Sequence, residues 1–509
     1  MKAPSSNRAI RGALRDIELK LSKFDHSILL IDWRLYAGRT KHDAESWVHA
    51  RARFLRDEKL RRWTDRARDR IDPLIPMGRR LELLNRLSLD AVSEQHPSIV
   101  RRRSRLQRRI LAFRPRFRGQ RVDRARINDE LRDNPSPRRR EEAYRAEDEL
   151  WDKIEDDLLE LVRARNARAR ALGYRDFPTL RLSFEGLRVK ELQGLCDSAV
   201  RPLAGRIRQL RDEFLTRADQ GEWFPWDLRF AQERSGSLPK RVFPGRTLFS
   251  TVRSALRQWG LPVDRMAIRF TQHDIPWGGL TFPVRIPTDV RILMPSKGGW
   301  ERYMVCFHEM GHAVHFSSIR EKEYLLKSPD VGFAGLFEGI GDLFEEISLD
   351  PRWLRSRRGL TPRSVEGFRT GRALEHLLRA ATMSDWVATE LDLYQHPTVD
   401  PSYRSTARLR EVFGFGRYAP RSILRLAYVT HPVYAQSYLL SLLFRKQMVR
   451  AISEQVGGPL WPNPSVGPWL ETNWFAPGGL YDWIPRVQDV TGRPLGVQAF
   501  QESVRSGEP

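Results

Sequence analysis

Residues 300–316 read WERYMVCFHEMGHAVHF. The segment is read as a helix, and on a helix residues four apart share a face. His308 and His312 therefore project side by side and offer two imidazole nitrogens to one metal ion. Glu309 is turned about 100° away by helix geometry. Its carboxylate can reach a water on that metal without being a ligand. A catalytic zinc ion takes three protein ligands and keeps a fourth position open. The helix thus carries two-thirds of a site.

The third ligand has to come from elsewhere. His315 follows His312 by only three residues. The extended motif that recruits a third histidine runs H-x-x-G-x-x-H, and its last two positions are here His315 and Ser318. His315 is left out as a ligand and read as a partly buried neighbour of the cleft. The better candidate is Glu338 in LFEGIGDLFEEISLD (336–350), 26 residues past His312. Asp342 lies one turn further along the same side. Metal-bound histidines donate their other N–H to a carboxylate or carbonyl, and Asp342 suits that role toward His308. Of Glu345 and Glu346, one is a further candidate behind the ligands and the other is expected to face solvent. Gly339 and Gly341 are costly inside a helix, which points to two helices packed very closely around a shared metal.

Hydrolysis also needs a donor for a developing oxyanion. YVTHPVYAQSYLLSLLFRKQM (428–448) supplies candidates. Pro432 suits the first turn of a helix. His431, Tyr434 and Tyr438 then fall along one face at spacings of three and four.

These residues resemble the zinc peptidases whose third ligand is a glutamate on a second helix. HEMGH followed by EGIGD, with the lead-in VRILMPSKGGWERYMVCF, is similar to the angiotensin-converting-enzyme type. RNARARALGYRDF (165–177), PWDLRF (225–230), THPVYAQSYLL (430–440) and TGRPL (491–495) are more similar to the thimet oligopeptidase and oligoendopeptidase F branch. The likeness runs from about residue 140 to the end, and residues 1–139 match only in being helical. The resemblance implies a mainly α, two-lobed protein with a deep central channel and a small sheet beside the site. It implies one Zn2+ held by His308, His312 and Glu338, Glu309 as general base, and His431 and Tyr438 at the transition state. GGLTF (278–282) would match the edge strand that pairs with substrate backbone, with Gly279, Leu280, Thr281 and also Tyr434 touching the peptide.

There are departures. The His431-to-Tyr438 spacing is shorter than in these families, so Tyr434 and Tyr438 both stand as oxyanion donors. The lysine that anchors a substrate C-terminus in the converting-enzyme branch falls near Val429, and the histidine before its edge strand is Gly278. An oligoendopeptidase acting on short peptides is therefore expected. The alternatives are a carboxypeptidase or dipeptidyl carboxypeptidase of the same chemistry, or a basic binding protein on the same fold.

Composition agrees with a globular protein of 509 residues, 40% hydrophobic and 30% charged. Residues 1–139 read as an Arg-rich helical region and 140–509 as the catalytic region, together one integrated unit. Strands are expected at 268–272, 278–286 and 290–294, helix at 9–38, 79–112, 138–172, about 189–218, about 248–259 and from 300 to about 455, with loop at 219–247 and a Pro/Gly/Trp-rich tail after 455. The net charge is +24, densest in 101–132. No nucleic-acid-binding signature accompanies it, so the arginines are read as solvated helix faces. No apolar run of membrane-spanning length and no secretory signal are seen, so no membrane partner is expected. Two distant cysteines give no disulfide framework and suggest a cytoplasmic protein.

Overall fold

The computed structural model describes residues 6–218, 220–234, 238–275, 278–327, 331–398, 402–416 and 426–509. It is mainly helical with a small three-stranded sheet, as the sequence pattern predicts, and it adds a short antiparallel hairpin, Arg116–Phe117 with Gln120–Arg121, that the pattern did not mark. Helix starts follow local chemistry. Ser6 accepts from the Ala9 N–H to open the first helix, Asn7–Tyr36. Prolines occupy the first turns of Pro76–Ser93, Pro97–Ala112, Pro137–Arg145 and Pro362–Gln395, where a missing N–H costs nothing. Among the described residues no helix is long and apolar enough to cross a membrane.

Two expected helices are each broken in two. The run after NPSP turns at Ala146–Glu147, giving Pro137–Arg145 and Asp148–Ala171. The first piece is pinned separately by Arg140, fully buried, which donates to Asp227 at 3.0 and 2.5 Å. The helix expected at 189–218 is interrupted by a tight turn at Arg201–Leu203, where Pro202 has no N–H to give. The expected loop at 219–247 holds a short helix, Leu228–Arg234, and buries Trp223 and Trp226. Its residues 219 and 235–237 lie outside the described ones, as do 328–330, 399–401 and 417–425 of the helical run expected after 300.

The strands of the three-stranded sheet sit where the β-branched runs place them. Ile268–Gln272 pairs in parallel with Asp289–Met294, which pairs antiparallel with Leu280–Arg285. Leu280–Arg285 is therefore an edge strand. Its register slips between Phe282 and Arg285, around Pro283, which cannot donate to a ladder. The first helix lies over it. Trp33, Ala37, Phe282, Val284 and Leu293 form one small apolar cluster, and the His26 ring nitrogen meets the Val284 carbonyl at 3.1 Å.

One continuous apolar core runs from Ile10 to Val504, so the Arg-rich region shares it with the remainder of the chain. A buried arginine joins the two. Arg165 donates to both oxygens of Glu94, at 2.8 and 2.7 Å, and to the carbonyls of Tyr428 and Val429, each at 2.7 Å. This fixes the backbone entering the His431 segment. Arg165→Ala strands a buried carboxylate and two carbonyls, and is expected to cost about 3–5 kcal/mol, read from urea unfolding of variant and parent.

Candidate metal centre

Three helices build the centre. The motif helix, Trp300–Ser318, carries His308, Glu309 and His312. The acidic helix, Ala334–Leu349, carries Glu338, Asp342 and Glu345. The tyrosine helix, Ala435–Val456, packs on its other side. The first two can meet only because glycines line their crossing. A Cβ on Gly311 would lie 3.0 Å from the Ile340 carbonyl oxygen, and one on Gly341 only 2.6 Å from the His308 ring. Gly339 serves a different neighbour than expected. It admits Phe444 of the tyrosine helix, whose ring would be 2.6 Å from an added Cβ.

His308, His312 and Glu338 bring their ligand atoms within 4.8 Å of one another. His308 Nε2 lies 3.5 Å from Glu338 Oε2. Ligand atoms of one tetrahedral zinc are roughly 3.3 Å apart, given bonds of about 2.0–2.1 Å. All three side chains are half-buried, so the group opens toward solvent on one side. Burial and the neighbouring His308 bring His312 down to about 4. At neutral pH it is then uncharged, the state in which an imidazole can ligate. Burial opposes a charged His308, yet Asp342, Glu338 and Glu345 outweigh it and push it well above its ordinary value. The cluster of carboxylates thus favours a cation in their midst. Two imidazole nitrogens, one carboxylate oxygen and excess negative charge fit a divalent metal.

Behind the ligands the assignment changes. His308 Nδ1 lies 3.0 Å from Glu345 Oε1 and 3.5 Å from Asp342 Oδ1. Glu345 is the nearer partner, because its longer side chain reaches the ring from one turn further on. Asp342 is held instead by the Ser441 hydroxyl at 2.7 Å, with Arg379 at 3.9 Å. Neither Glu345 nor Glu346 faces solvent. Glu346 Oε1 accepts from Arg445 at 2.5 Å and Lys446 at 2.7 Å. The Arg445 guanidinium also lies 3.7 Å from Glu345. A buried cation that the motif reading did not find therefore balances this acidic face.

Glu309 is 8% exposed and points to the edge strand. The Thr281 hydroxyl donates to its Oε2 at 2.6 Å. Burial raises the Glu309 carboxyl above the ordinary range, against the pull of His308 and Thr281. His315 lies outside the ligand group. It is buried among Phe316, Phe337 and Phe475, and burial followed by His312 lowers it to about 3.

The tyrosine segment departs from the expected single helix face. A short helix ends at Thr430, Val433 takes a positive φ of 52°, and the tyrosine helix starts only at Ala435. Buried Glu390 holds that turn, accepting the Val433 N–H at 2.7 Å. Pro432 is outside the helix and His431 does not share its face with the tyrosines. His431 is exposed, 5.9 Å ring to ring from Tyr434. The Tyr434 hydroxyl donates to Glu338 Oε1 at 2.9 Å. Tyr438 stands 5.5 Å from the Tyr434 ring, and its hydroxyl makes no hydrogen bond among the described residues.

Tyr434 also lines a cavity of about 350 Å³ together with His431, Glu185, Arg51, Glu94 and Arg103. Nearly half of that wall comes from the N-terminal Arg-rich region, whose place in the molecule no motif revealed. The chain matches no protein-family model and no curated protein.

Two outcomes follow from this geometry. Glu345→Gln removes the charged partner of His308 and is expected to weaken metal binding by about 10- to 100-fold, measured by competition with a chromogenic chelator. Burial opposes ionisation of Glu346, yet Arg445 and Lys446 outweigh it and bring its carboxyl down to about 2 from an ordinary 4.5. A depressed carboxyl stabilises the fold fully above its unfolded value and loses that contribution as pH falls through its folded value. Glu346→Gln is expected to be less stable than the parent by about 3 kcal/mol at pH 7, with the gap closing between pH 4.5 and 2. Urea unfolding at a series of pH values reads this.

Proposed function

We propose that the protein is a zinc metallopeptidase that hydrolyses internal peptide bonds of short peptides. The observation that carries this reading is the gathering of His308, His312 and Glu338, with Glu309 beside them and not among them. Two nitrogens and one oxygen are a donor set suited to zinc. When bound, zinc supplies Lewis acidity to a peptide carbonyl and lowers the pKa of water at its open position.

The chain's own groups do the rest. Glu309, its carboxyl raised by burial, takes a proton from the attacking water and passes it to the leaving amine. Tyr434 is committed to Glu338 and holds that carboxylate in place. Tyr438 has its hydroxyl free of partners among the described residues and donates to the oxyanion. The edge strand at Gly279, Leu280 and Thr281 offers backbone groups to an extended peptide, a mode of pairing that reads no side chains. Residues flanking the cut enter the cavity beside Tyr434, where His431 meets them. The channel between two lobes that the family resemblance implies would restrict substrates to short, unfolded chains. Both cysteines are free and buried, in keeping with a reducing, cytoplasmic setting.

Glu309→Gln is expected to keep one metal per chain by elemental analysis and to lose about 10²- to 10⁴-fold in turnover. Full activity in that variant overturns the reading. Mass spectra of products from an unstructured peptide decide the mode: internal cuts support it, and stepwise loss from the C-terminus replaces it with a carboxypeptidase.

A further inference from the structure

The strand that would seat the peptide also holds the base. Gly279 and Thr281 are two residues apart on one extended segment, so they face the same way. Both face Glu309. A Cβ on Gly279 would lie 2.7 Å from Glu309 Cγ and 3.1 Å from Oε1. Thr281 Oγ1 sits 2.6 Å from Glu309 Oε2 and 3.1 Å from the Glu309 main-chain oxygen. The shorter contact is in the range of a charge-assisted hydrogen bond. Among the described residues no other group donates to this carboxylate, and Oε1 makes no hydrogen bond. Leu280 and Phe282 point to the opposite face, toward the cluster under the first helix. One short segment therefore presents a gap that fits the Glu309 stem, a hydroxyl that grips one carboxylate oxygen, and an unpaired edge.

We propose that Thr281 is a positioning residue for the general base. Its hydroxyl selects one rotamer of Glu309 and leaves Oε1 as the oxygen that exchanges the proton. Because the same strand is the substrate rail, the distance from base to scissile bond is set within a single element. This rests on the peptidase reading above. The hydroxyl carries one proton and has two acceptors on Glu309, the carboxylate and the main-chain oxygen. The carboxylate oxygen, the nearer and charged acceptor, takes that proton, so a serine can replace the threonine and a valine cannot.

The test compares Thr281→Val, Thr281→Ser and Thr281→Ala with the parent and with Glu309→Gln, on an unstructured fluorogenic peptide. Metal content and melting temperature are measured on each. Thr281→Val is expected to lower kcat by about 10- to 100-fold, the cost of a misplaced catalytic group. KM is expected to stay within about twofold and metal content at the parent level, since neither binding nor ligation uses the hydroxyl. Thr281→Ser is expected to recover kcat to within about threefold of the parent. If Thr281→Val does not fold, Thr281→Ala carries the same expectation. Parent-level kcat without the hydroxyl overturns the proposal, as does a serine variant as slow as the valine one. A fully active Glu309→Gln overturns the peptidase reading itself, a distinct result.

Discussion

The contact between the Gly341 backbone and the His308 ring is the constraint on which the centre depends. With no side chain at Gly341 or Gly311, the motif and acidic helices approach until two imidazoles and a carboxylate share one small volume. That approach also brings Glu338, Asp342 and Glu345 against one ring. Like charges this near repel unless cations balance them. Half-buried Arg379 and buried Arg445 supply balance from behind. A metal would supply it from the front. The packing and the charge arrangement are thus two views of one constraint.

The tyrosine helix joins this scheme at its middle and at its start. Phe444 fills the notch that Gly339 leaves, and Arg445 and Ser441 hold the acidic helix's carboxylates. At its start, the backbone is tied by Glu390 and, one segment earlier, by Arg165. These anchors lead directly to Tyr434, whose hydroxyl meets Glu338. Distant parts of the chain therefore bear on one hydroxyl–carboxylate contact.

Much of this was legible in the sequence, and the exceptions have physical reasons. Helical spacing places His308 and His312 together, and β-branched runs mark the strands of the three-stranded sheet. An isolated acid in an apolar, glycine-rich stretch marks Glu338. Which carboxylate would meet His308 Nδ1 was not legible, because Asp342 and Glu345 share a face and only side-chain reach separates them. Nor was the break before Ala435, where a proline that looks like a helix start is followed by a residue at positive φ. Arg445 was marked by no pattern, and Thr281 was marked only as part of the edge strand, not as a partner of Glu309. Their partners lie 99 and 28 residues away in sequence, and pairings at that range arise only from the fold.

The first helix gives the sheet a property that the chemistry alone does not require. An open edge strand will pair with any extended chain, including another copy of itself. Here Trp33 and Ala37 cover the outer face of Leu280–Arg285, His26 takes up the Val284 carbonyl, and Pro283 has no N–H to offer. What stays open is the stretch before Phe282, next to Glu309. A single peptide backbone can lie along so short a segment, but a sheet cannot grow from it. The same helix that shelters the edge thus keeps it usable without making it adhesive.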